Sequence, residues 1–128
     1  MIATAREFTS GKVVAVLGCG GDRDSSKRPL MGAALAQGAD IAIFTSDNPR
    51  SEAPAEILSQ MTQSLTVSAP SQIIEDREDA IRAAVALAQD GDTVLVLGKG
   101  HETGQDIAGA VTPFDDRIVL AQAIEAKP

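Results

Sequence analysis

The sequence has 128 residues, enough for one hydrophobic core of ordinary size. Aromatic residues make up only 2% of the chain, so the core must be built mainly from Ala, Val, Ile and Leu. The formal net charge of −7 argues against nucleic acid or an anionic membrane as a partner. The single cysteine, Cys19, excludes an internal disulfide framework and fits a reducing compartment. The sequence has no signal-peptide core or long apolar run, so we expect a cytoplasmic protein, and we expect it to be monomeric.

Along the chain, strand-like segments alternate with helix-like segments. Continuous apolar and β-branched runs are typical of parallel strands buried on both faces. Strands are predicted at 13–18, 41–46, 72–76 and 94–98. Helices are predicted at 29–38, 53–63, 77–89 and 115–125. The alternation predicts an α/β fold, a Rossmann-like and mostly parallel sheet with helices on both faces. Residues 1–11 are predicted to be a tail or interdomain linker, and residues 12–128 a single domain.

Two polar loops directly follow predicted central strands. One is Asp47-Asn48-Pro49-Arg50, and the other is Gly98-Lys99-Gly100-His101-Glu102. Because the carboxyl ends of parallel strands form the ligand crevice of such sheets, we expect the two loops to converge. Arg50 offers a planar fork suited to a carboxylate, and Glu102 offers a negative charge for an ammonium. The pair predicts an amino-acid site.

The glycine-rich loop after the first strand leaves two interpretations open. Gly18, Gly20 and Gly21 suggest dinucleotide binding, but Arg23 stands where that fingerprint needs its third glycine. The chain also lacks the Gly-Lys-Ser/Thr ending of a phosphate-binding loop. The glycines therefore form either a tight turn or part of a site. The neighbouring cations Arg23, Lys27 and Arg28 either clamp an anion or form a solvated ion-pair network.

Metal and nucleophile chemistry find little support in the sequence. One histidine, His101, and one cysteine cannot make a metal site, and no Gly-x-Ser-x-Gly elbow is present. His101 is better explained as a loop residue that holds its neighbours than as a catalytic base. Lys99 is either a flexible cation beside the site or an exposed lysine in a turn.

Four blocks of sequence carry a resemblance to a known family. GCGGDRDSSKRPLMG, TSDNPR, IEDREDAI and LGKGHETGQ occur in the order and spacing of the C-terminal domain of the Mur ligases, from about Lys12 to about Ala123. The chain is most similar to the members that add the third amino acid to the peptidoglycan precursor. Such enzymes have a UDP-sugar domain, a central ATPase domain and a Rossmann-like C-terminal domain that binds the incoming amino acid. Only the last of these is represented here.

The resemblance implies roles for particular residues. It implies a site for meso-diaminopimelate formed by Arg23, Asp47, Asn48, Pro49, Arg50, Gly98 and Glu102. It suggests nucleotide contacts on domain closure for Asp22, Lys27 and Arg28, and supporting roles for Lys99 and His101. No catalytic residue and no metal ligand is expected in this domain. ATP and Mg²⁺ are expected to be bound mainly by the central domain of the full-length enzyme, which also acts on UDP-MurNAc-L-Ala-D-Glu, and none of them by this domain alone.

The implied reaction is ATP-dependent formation of a peptide bond through an acyl phosphate. Diaminopimelate differs from lysine by a second carboxylate, which Arg50 can bind through two charge-assisted hydrogen bonds. Family members that add lysine lack this arginine, so the resemblance implies specificity for meso-diaminopimelate. We expect the chain to be an excised domain that is inactive alone. The alternative is a stand-alone, non-catalytic module that binds an amino acid or a nucleotide. Arg23 disfavours a small NAD-binding domain.

Overall fold

The centre of the fold is the parallel sheet that the sequence predicts. A computed structural model describes residues 2–99 and 102–127. Its central strands are β1 (Val13–Cys19), β2 (Ile41–Ser46), β3 (Gln72–Ile73) and β4 (Thr93–Leu97). They lie in the order β3-β2-β1-β4, and all neighbours are parallel. The order reverses between β1 and β4, so the crevice at their carboxyl ends is the expected place for a ligand.

Helices cover both faces of the sheet, as predicted. They are α1 (Ile2–Phe8), α2 (Arg28–Gly38), α3 (Pro54–Met61), α4 (Arg77–Leu87) and α5 (Asp116–Ala126). One face buries Ala15 and Phe44 against α2 and α3, and the other buries Val14 and Ile43 against α4. Side chains alternate between the two faces of each strand because the strand period is two residues. Burying each large aliphatic or aromatic side chain contributes roughly 1.5–3 kcal/mol.

Aspartate side chains cap the starts of α4 and α5. The side chain of Asp76 accepts a hydrogen bond from the Asp79 amide at the start of α4. Asp115 accepts one from the Arg117 amide at the start of α5. Such N-caps satisfy amide groups that have no partner within the helix, and each contributes about 1 kcal/mol. No helix in the described residues is long and apolar enough to cross a bilayer.

Helix α1 lies in the segment for which the sequence analysis predicted no element. Ala5 is buried, and Arg6 donates to the Asp40 carboxylate at 3.1 Å and to the Gly38 carbonyl at 2.7 Å. A seven-residue helix is too short to be stable by itself, so its contacts with the domain must maintain it. Its sequence carries little periodic signal, which explains why it was not predicted. The linker role of residues 1–11 stays a prediction.

A two-stranded antiparallel hairpin follows the second polar loop and was also not predicted. It consists of β5 (Gly104–Ile107) and β6 (Ala110–Pro113). Its two-residue turn has positive φ at both positions, 53° at Ala108 and 83° at Gly109. Turns of this kind are usually marked by Asn-Gly or Asp-Gly. Ala-Gly lacks that signal, and β6 is exposed along its whole length, so no apolar alternation marks it either.

Candidate functional site

The carboxyl ends of three central strands surround one cleft. It is lined by Gly18 near the end of β1, Gly20 just after β1, Asp47 after β2 and Gly98 after β4, and by Arg23 and Lys27 from the glycine loop. The predicted convergence of the two polar loops on one place is therefore confirmed for Asp47 and Gly98. A β-carbon added to Gly98 would lie 3.6 Å from Oδ2 of Asp47, which shows how closely these loops approach.

The Asp47–Arg50 loop is anchored by the hairpin. Arg50 has a φ of 53°, in the left-handed region that non-glycine residues rarely adopt. Its amide donates to the Asp106 carbonyl at 2.9 Å, and its carbonyl accepts from the Ala108 amide at 2.7 Å. Such a backbone conformation persists only where surrounding contacts fix it, and the two hairpin bonds supply that constraint.

The guanidinium of Arg50 is fixed along one edge and free along the other. Its Nη1 donates to the carbonyls of Gly21 at 2.9 Å and Asn48 at 3.3 Å. Within the described part of the chain, Nε and Nη2 make no hydrogen bond. These two groups form one side of the planar fork, with the geometry that a carboxylate matches through two parallel bonds. The side chain can therefore accept a carboxylate without giving up its anchoring contacts.

Asn48 connects the two polar loops through its side-chain amide. Its Oδ1 accepts from the Asp106 amide at 3.0 Å and from Lys99 Nζ at 3.3 Å. Two donors on Oδ1 set the orientation of the amide, so Nδ2 must point the other way. There it donates to Oε2 of Glu102 at 2.9 Å. Glu102 is exposed, and this bond ties its carboxylate to the first polar loop.

Lys99 differs from both alternatives that the sequence left open, because it is neither exposed nor flexible. The residue is 3% exposed, and its Nζ donates to the Gly104 carbonyl as well as to Asn48. It also lies 3.9 Å from Oδ1 of Asp47 and 5.9 Å from the centre of the Phe114 ring. A buried cation with this set of partners braces the second polar loop against the first.

Asp47 is a buried carboxylate with spare capacity to accept hydrogen bonds. Burial raises its pKa, while the positive charges of Arg77 and Lys99 act in the opposite direction. Its Oδ1 has no hydrogen-bond partner among residues 2–99 and 102–127. The carbonyl of the same residue accepts from Nε2 of the buried Gln105 at 2.8 Å. Asp47 lines the cleft and places negative charge there, while its Oδ1 is itself buried, 3.9 Å from Nζ of Lys99.

The glycine loop is joined to the Asp47–Arg50 loop by a buried arginine. Arg28 is 2% exposed and donates to both carboxylate oxygens of Glu52, at 2.9 and 2.7 Å. It also donates to Gln60 at 2.8 Å and to the Gly20 carbonyl at 3.0 Å. Glu52 in turn accepts from the Asp22 amide at 2.7 Å, and its bonds with Arg28 hold its pKa down at about 2. Nη1 and Nη2 of Arg28 therefore have partners within the domain, while Nε is buried without a hydrogen-bond partner among the described residues. The nucleotide contact suggested for Arg28 stays a prediction.

The remaining candidate residues have different environments. Arg23 and Lys27 are exposed at the cleft, and Pro49 is buried beneath it. Asp22 is exposed, and its carboxylate accepts from the Ser51 hydroxyl. His101 and its neighbour Gly100 lie outside the described residues. Cys19 is buried, and desolvation raises its pKa to about 11, so it is not a nucleophile at neutral pH.

The residues present do not form a metal site. Among the described residues, no group of three or more His, Cys, Asp or Glu side chains is placed to hold a metal ion.

Several residues that shape the site were not identified from the sequence. They are Glu52, Arg77, Gln105 and Asp106. Gln105 ends the LGKGHETGQ block and Asp106 follows it, but both lie on the hairpin that was not predicted, so the sequence does not show their contacts with Asp47 and Asn48. Arg77 was inside a quoted block, but its burial is not visible in the sequence. Glu52 lies only two residues beyond Arg50. Its nearness to that loop in the sequence could have identified it as an acidic residue of the site.

The fold and the cleft define a doubly wound α/β domain with a cleft at the switch point of the sheet, where such folds bind ligands. A family model described as "Mur ligase, glutamate ligase domain" matches residues 1–100. The chain therefore belongs to the Mur ligase family.

Proteins of known function share this sequence closely. The chain is 59% identical to the UDP-N-acetylmuramoyl-L-alanyl-D-glutamate--2,6-diaminopimelate ligase of Streptomyces coelicolor, across 98% of this chain and 26% of the relative. It is 54% identical to the ligase of the same name from Caulobacter vibrioides, across 98% of this chain and 25% of the relative. A solved structure with that ligase name matches with a TM-score of 0.92 and 44% identity, across 98% of this chain and 26% of the other. The chain thus spans about a quarter of the length of these relatives.

Proposed function

We propose that this chain is the amino-acid-binding domain of an ATP-dependent ligase that adds meso-diaminopimelate to UDP-MurNAc-L-Ala-D-Glu during peptidoglycan synthesis. The observation that carries the proposal is the Nε–Nη2 side of Arg50, which has no hydrogen-bond partner among the described residues. The guanidinium of Arg50 adjoins Gly20, which lines the same cleft as Asp47. The names of the relatives support the same substrate. ATP, Mg²⁺ and the nucleotide-linked dipeptide are assigned to the rest of the full-length enzyme. We place the protein in the cytoplasm as a monomer.

The recognition chemistry follows from the two ends of the ligand. Each end of diaminopimelate carries a carboxylate and an ammonium. Arg50 would bind the carboxylate of the end that does not react, while Asp47 and Glu102 offer negative charge to its ammonium. This leaves the other amine free to attack the activated carboxyl group of the dipeptide. The contribution of the domain is orientation, because a bound and aligned amine reacts far more readily than a free one.

Selectivity against lysine would come from Arg50. Lysine has no second carboxylate, so the free side of the arginine would face no anion. A hydrogen bond to a charged group is worth roughly 1.5–3 kcal/mol, which corresponds to about ten- to a hundredfold in affinity. A site built around such a bond discriminates strongly against the analogue that cannot form it.

The first test is a titration of this chain with meso-diaminopimelate and, in parallel, with lysine, following backbone amides by NMR. We expect shifts to cluster at Arg23, at 47–50 and at 98–102, and to be much weaker with lysine. In the variant Arg50→Lys, the preference for diaminopimelate should fall roughly ten- to a hundredfold. The matched control is Arg117→Lys, which alters an exposed arginine away from the cleft.

Two outcomes would contradict the proposal in different ways. An equal response of the wild-type chain to both ligands would remove Arg50 as the selectivity residue. No response to either ligand up to millimolar concentration would show that this chain does not bind the amino acid by itself. Amide shifts with a nucleotide but not with either amino acid would favour the alternative of a nucleotide-binding module.

A further inference from the structure

A buried arginine beneath the site has no role in the ligand contacts described above. Arg77, the first residue of α4, is 0% exposed. Its Nε and Nη2 donate to the two carboxylate oxygens of Asp116, at 2.8 and 2.7 Å. Its Nη1 donates to the Ser46 carbonyl at 2.9 Å, and Nη2 also donates to the Leu97 carbonyl at 3.1 Å. All three nitrogens of the guanidinium are thus used within the protein.

The two carbonyls are the last ones before the two polar loops. Ser46 directly precedes Asp47, and Leu97 directly precedes Gly98. Their strands, β2 and β4, are not neighbours in the sheet, since β1 lies between them. No ladder hydrogen bond therefore joins β2 to β4, and the guanidinium spans the gap at the point where both loops begin.

The energetics of the Arg77–Asp116 pair argue for a role other than stability. Both charges are buried, with Asp116 only 6% exposed. Removing two charges from water is costly, and a well-packed apolar pair of similar volume often stabilises a protein equally well. What an apolar pair cannot do is hold two backbone carbonyls at a fixed separation. A planar guanidinium, which has several donors at fixed angles, meets that requirement. An ammonium group does not.

We propose that Arg77, oriented by Asp116, is a positioning residue that sets the separation of the Asp47–Arg50 and Gly98–Glu102 loops, and so determines affinity for the amino acid. This inference rests on the proposed function. Arg77 is fully buried, so it would act on the ligand indirectly, through the positions of the loops and through its charge near Asp47. The block IEDREDAI contains Arg77. Its residue types alone do not indicate this positioning role.

The test uses three variants of this chain. Arg77→Lys keeps the charge and the partner of Asp116 but loses the fork. Asp116→Asn keeps Arg77 and its bonds to both carbonyls but leaves its charge without a buried anion. Arg82→Lys is the matched control on the same helix, where Arg82 pairs with Glu78 at the surface. For each variant we would measure the dissociation constant for meso-diaminopimelate, the amide shifts of Asp47 and Gly98, and the denaturant midpoint.

Positioning predicts that affinity and stability respond differently. We expect Arg77→Lys to weaken binding on the order of tenfold or more, because small displacements of binding groups are costly. We expect Asp116→Asn to lower the denaturant midpoint more but to weaken binding less, and Arg82→Lys to change neither. If the loss of affinity merely follows the loss of stability across the variants, or if folded Arg77→Lys binds like wild type, the inference is wrong.

The readouts separate this inference from the proposed function. If the wild-type chain does not bind diaminopimelate, the proposed function fails for this chain, and the unliganded spectra still decide the role of Arg77. Displaced Asp47 and Gly98 amides, with altered contacts between the two loops in Arg77→Lys, would support it. Unchanged amides would overturn it. If Asp116→Asn does not fold, the comparison of Arg77→Lys with Arg82→Lys decides by itself.

Discussion

Protonation of the Glu52 carboxylate in acid is expected to loosen the site. Its carboxylate holds both Arg28 and the amide of Asp22, so it joins the glycine loop to the chain just beyond Arg50. The bonds from Arg28 and Asp22 lower its pKa from 4.5 to about 2. A carboxylate whose pKa is lowered by folding stabilises the fold above its unfolded pKa. That contribution is lost as pH falls towards the folded value.

The pH dependence of stability tests this link. We expect Glu52→Gln to be less stable than wild type at neutral pH, because the buried Arg28 loses its anionic partner. The difference should persist down to about pH 4.5 and then shrink as pH falls towards 2. Urea midpoints measured across this range would show it. Glu78→Gln, which alters the exposed pair with Arg82, is the control and should show little difference. A pH-independent difference for Glu52→Gln would contradict the assignment.

Residue types indicate which residues take part in the candidate site better than they indicate whether each of them is buried or exposed. Arg50, Asn48 and Asp47 were identified because they follow a buried strand. The resemblance suggests a nucleotide contact for Arg28, and the sequence allows Lys99 to be an exposed or flexible cation. In the structure, both side chains are buried and paired within the domain. A basic residue in a glycine-rich loop looks the same in sequence whether it faces solvent or a buried acceptor. The deciding partners, Glu52 and Gly104, are fixed only by the fold.

At the scale of elements, the glycine loop packs against the Asp47–Arg50 loop through one close approach. The Gly21 amide donates to the Asn48 carbonyl at 2.7 Å. A β-carbon at Gly21 would lie 1.7 Å from the carbonyl oxygen of Pro49, which is backbone and cannot move aside. At Gly20 the nearest atom would be Nη1 of Arg50, at 3.0 Å, the end of a flexible side chain.

The two adjacent glycines should therefore respond differently to the same substitution. We expect Gly21→Ala to lower the free energy of unfolding by about 1–3 kcal/mol, as overpacking of a rigid contact does. Gly20→Ala should cost less, because Arg50 can shift. Guanidinium unfolding of both variants measures the difference. Equal losses would mean that the loops are free to separate and that the close contact is not a constraint.

The buried strands and helices were easier to predict from the sequence than the exposed hairpin. The strands β1, β2 and β4 and the helices α2, α3, α4 and α5 were located because apolar residues recur with a clear period. The hairpin was missed because its turn is Ala-Gly and its outer strand is exposed, so neither turn chemistry nor patterning marked it. Yet the hairpin supplies Gln105 and Asp106 to the site. The elements that support a site can thus be the ones with the weakest sequence signal.

At the scale of the whole molecule, the chain should bind without catalysing. Its sequence has no Gly-Lys-Ser/Thr phosphate loop, and the described residues offer no metal cluster. With ATP, Mg²⁺, UDP-MurNAc-L-Ala-D-Glu and meso-diaminopimelate, we expect no release of phosphate above the protein-free background. The full-length ligase of Streptomyces coelicolor, assayed in parallel, is the positive control. Phosphate release that depends on diaminopimelate and is lost in Arg50→Lys would contradict this expectation.

Under the proposed function, the backbone hydrogen bonds between Arg50 and the hairpin would place amino-acid preference under the control of two separate stretches of sequence. The bonds from Arg50 to Asp106 and Ala108 hold its backbone at a positive φ, and that conformation aims the guanidinium. A change in the β5–β6 turn would therefore redirect the same arginine without replacing it. In evolution, a ligase of this kind can drift towards another amino acid while its recognition motif stays intact. The Asp-Asn-Pro-Arg motif by itself then does not determine which amino acid such an enzyme accepts.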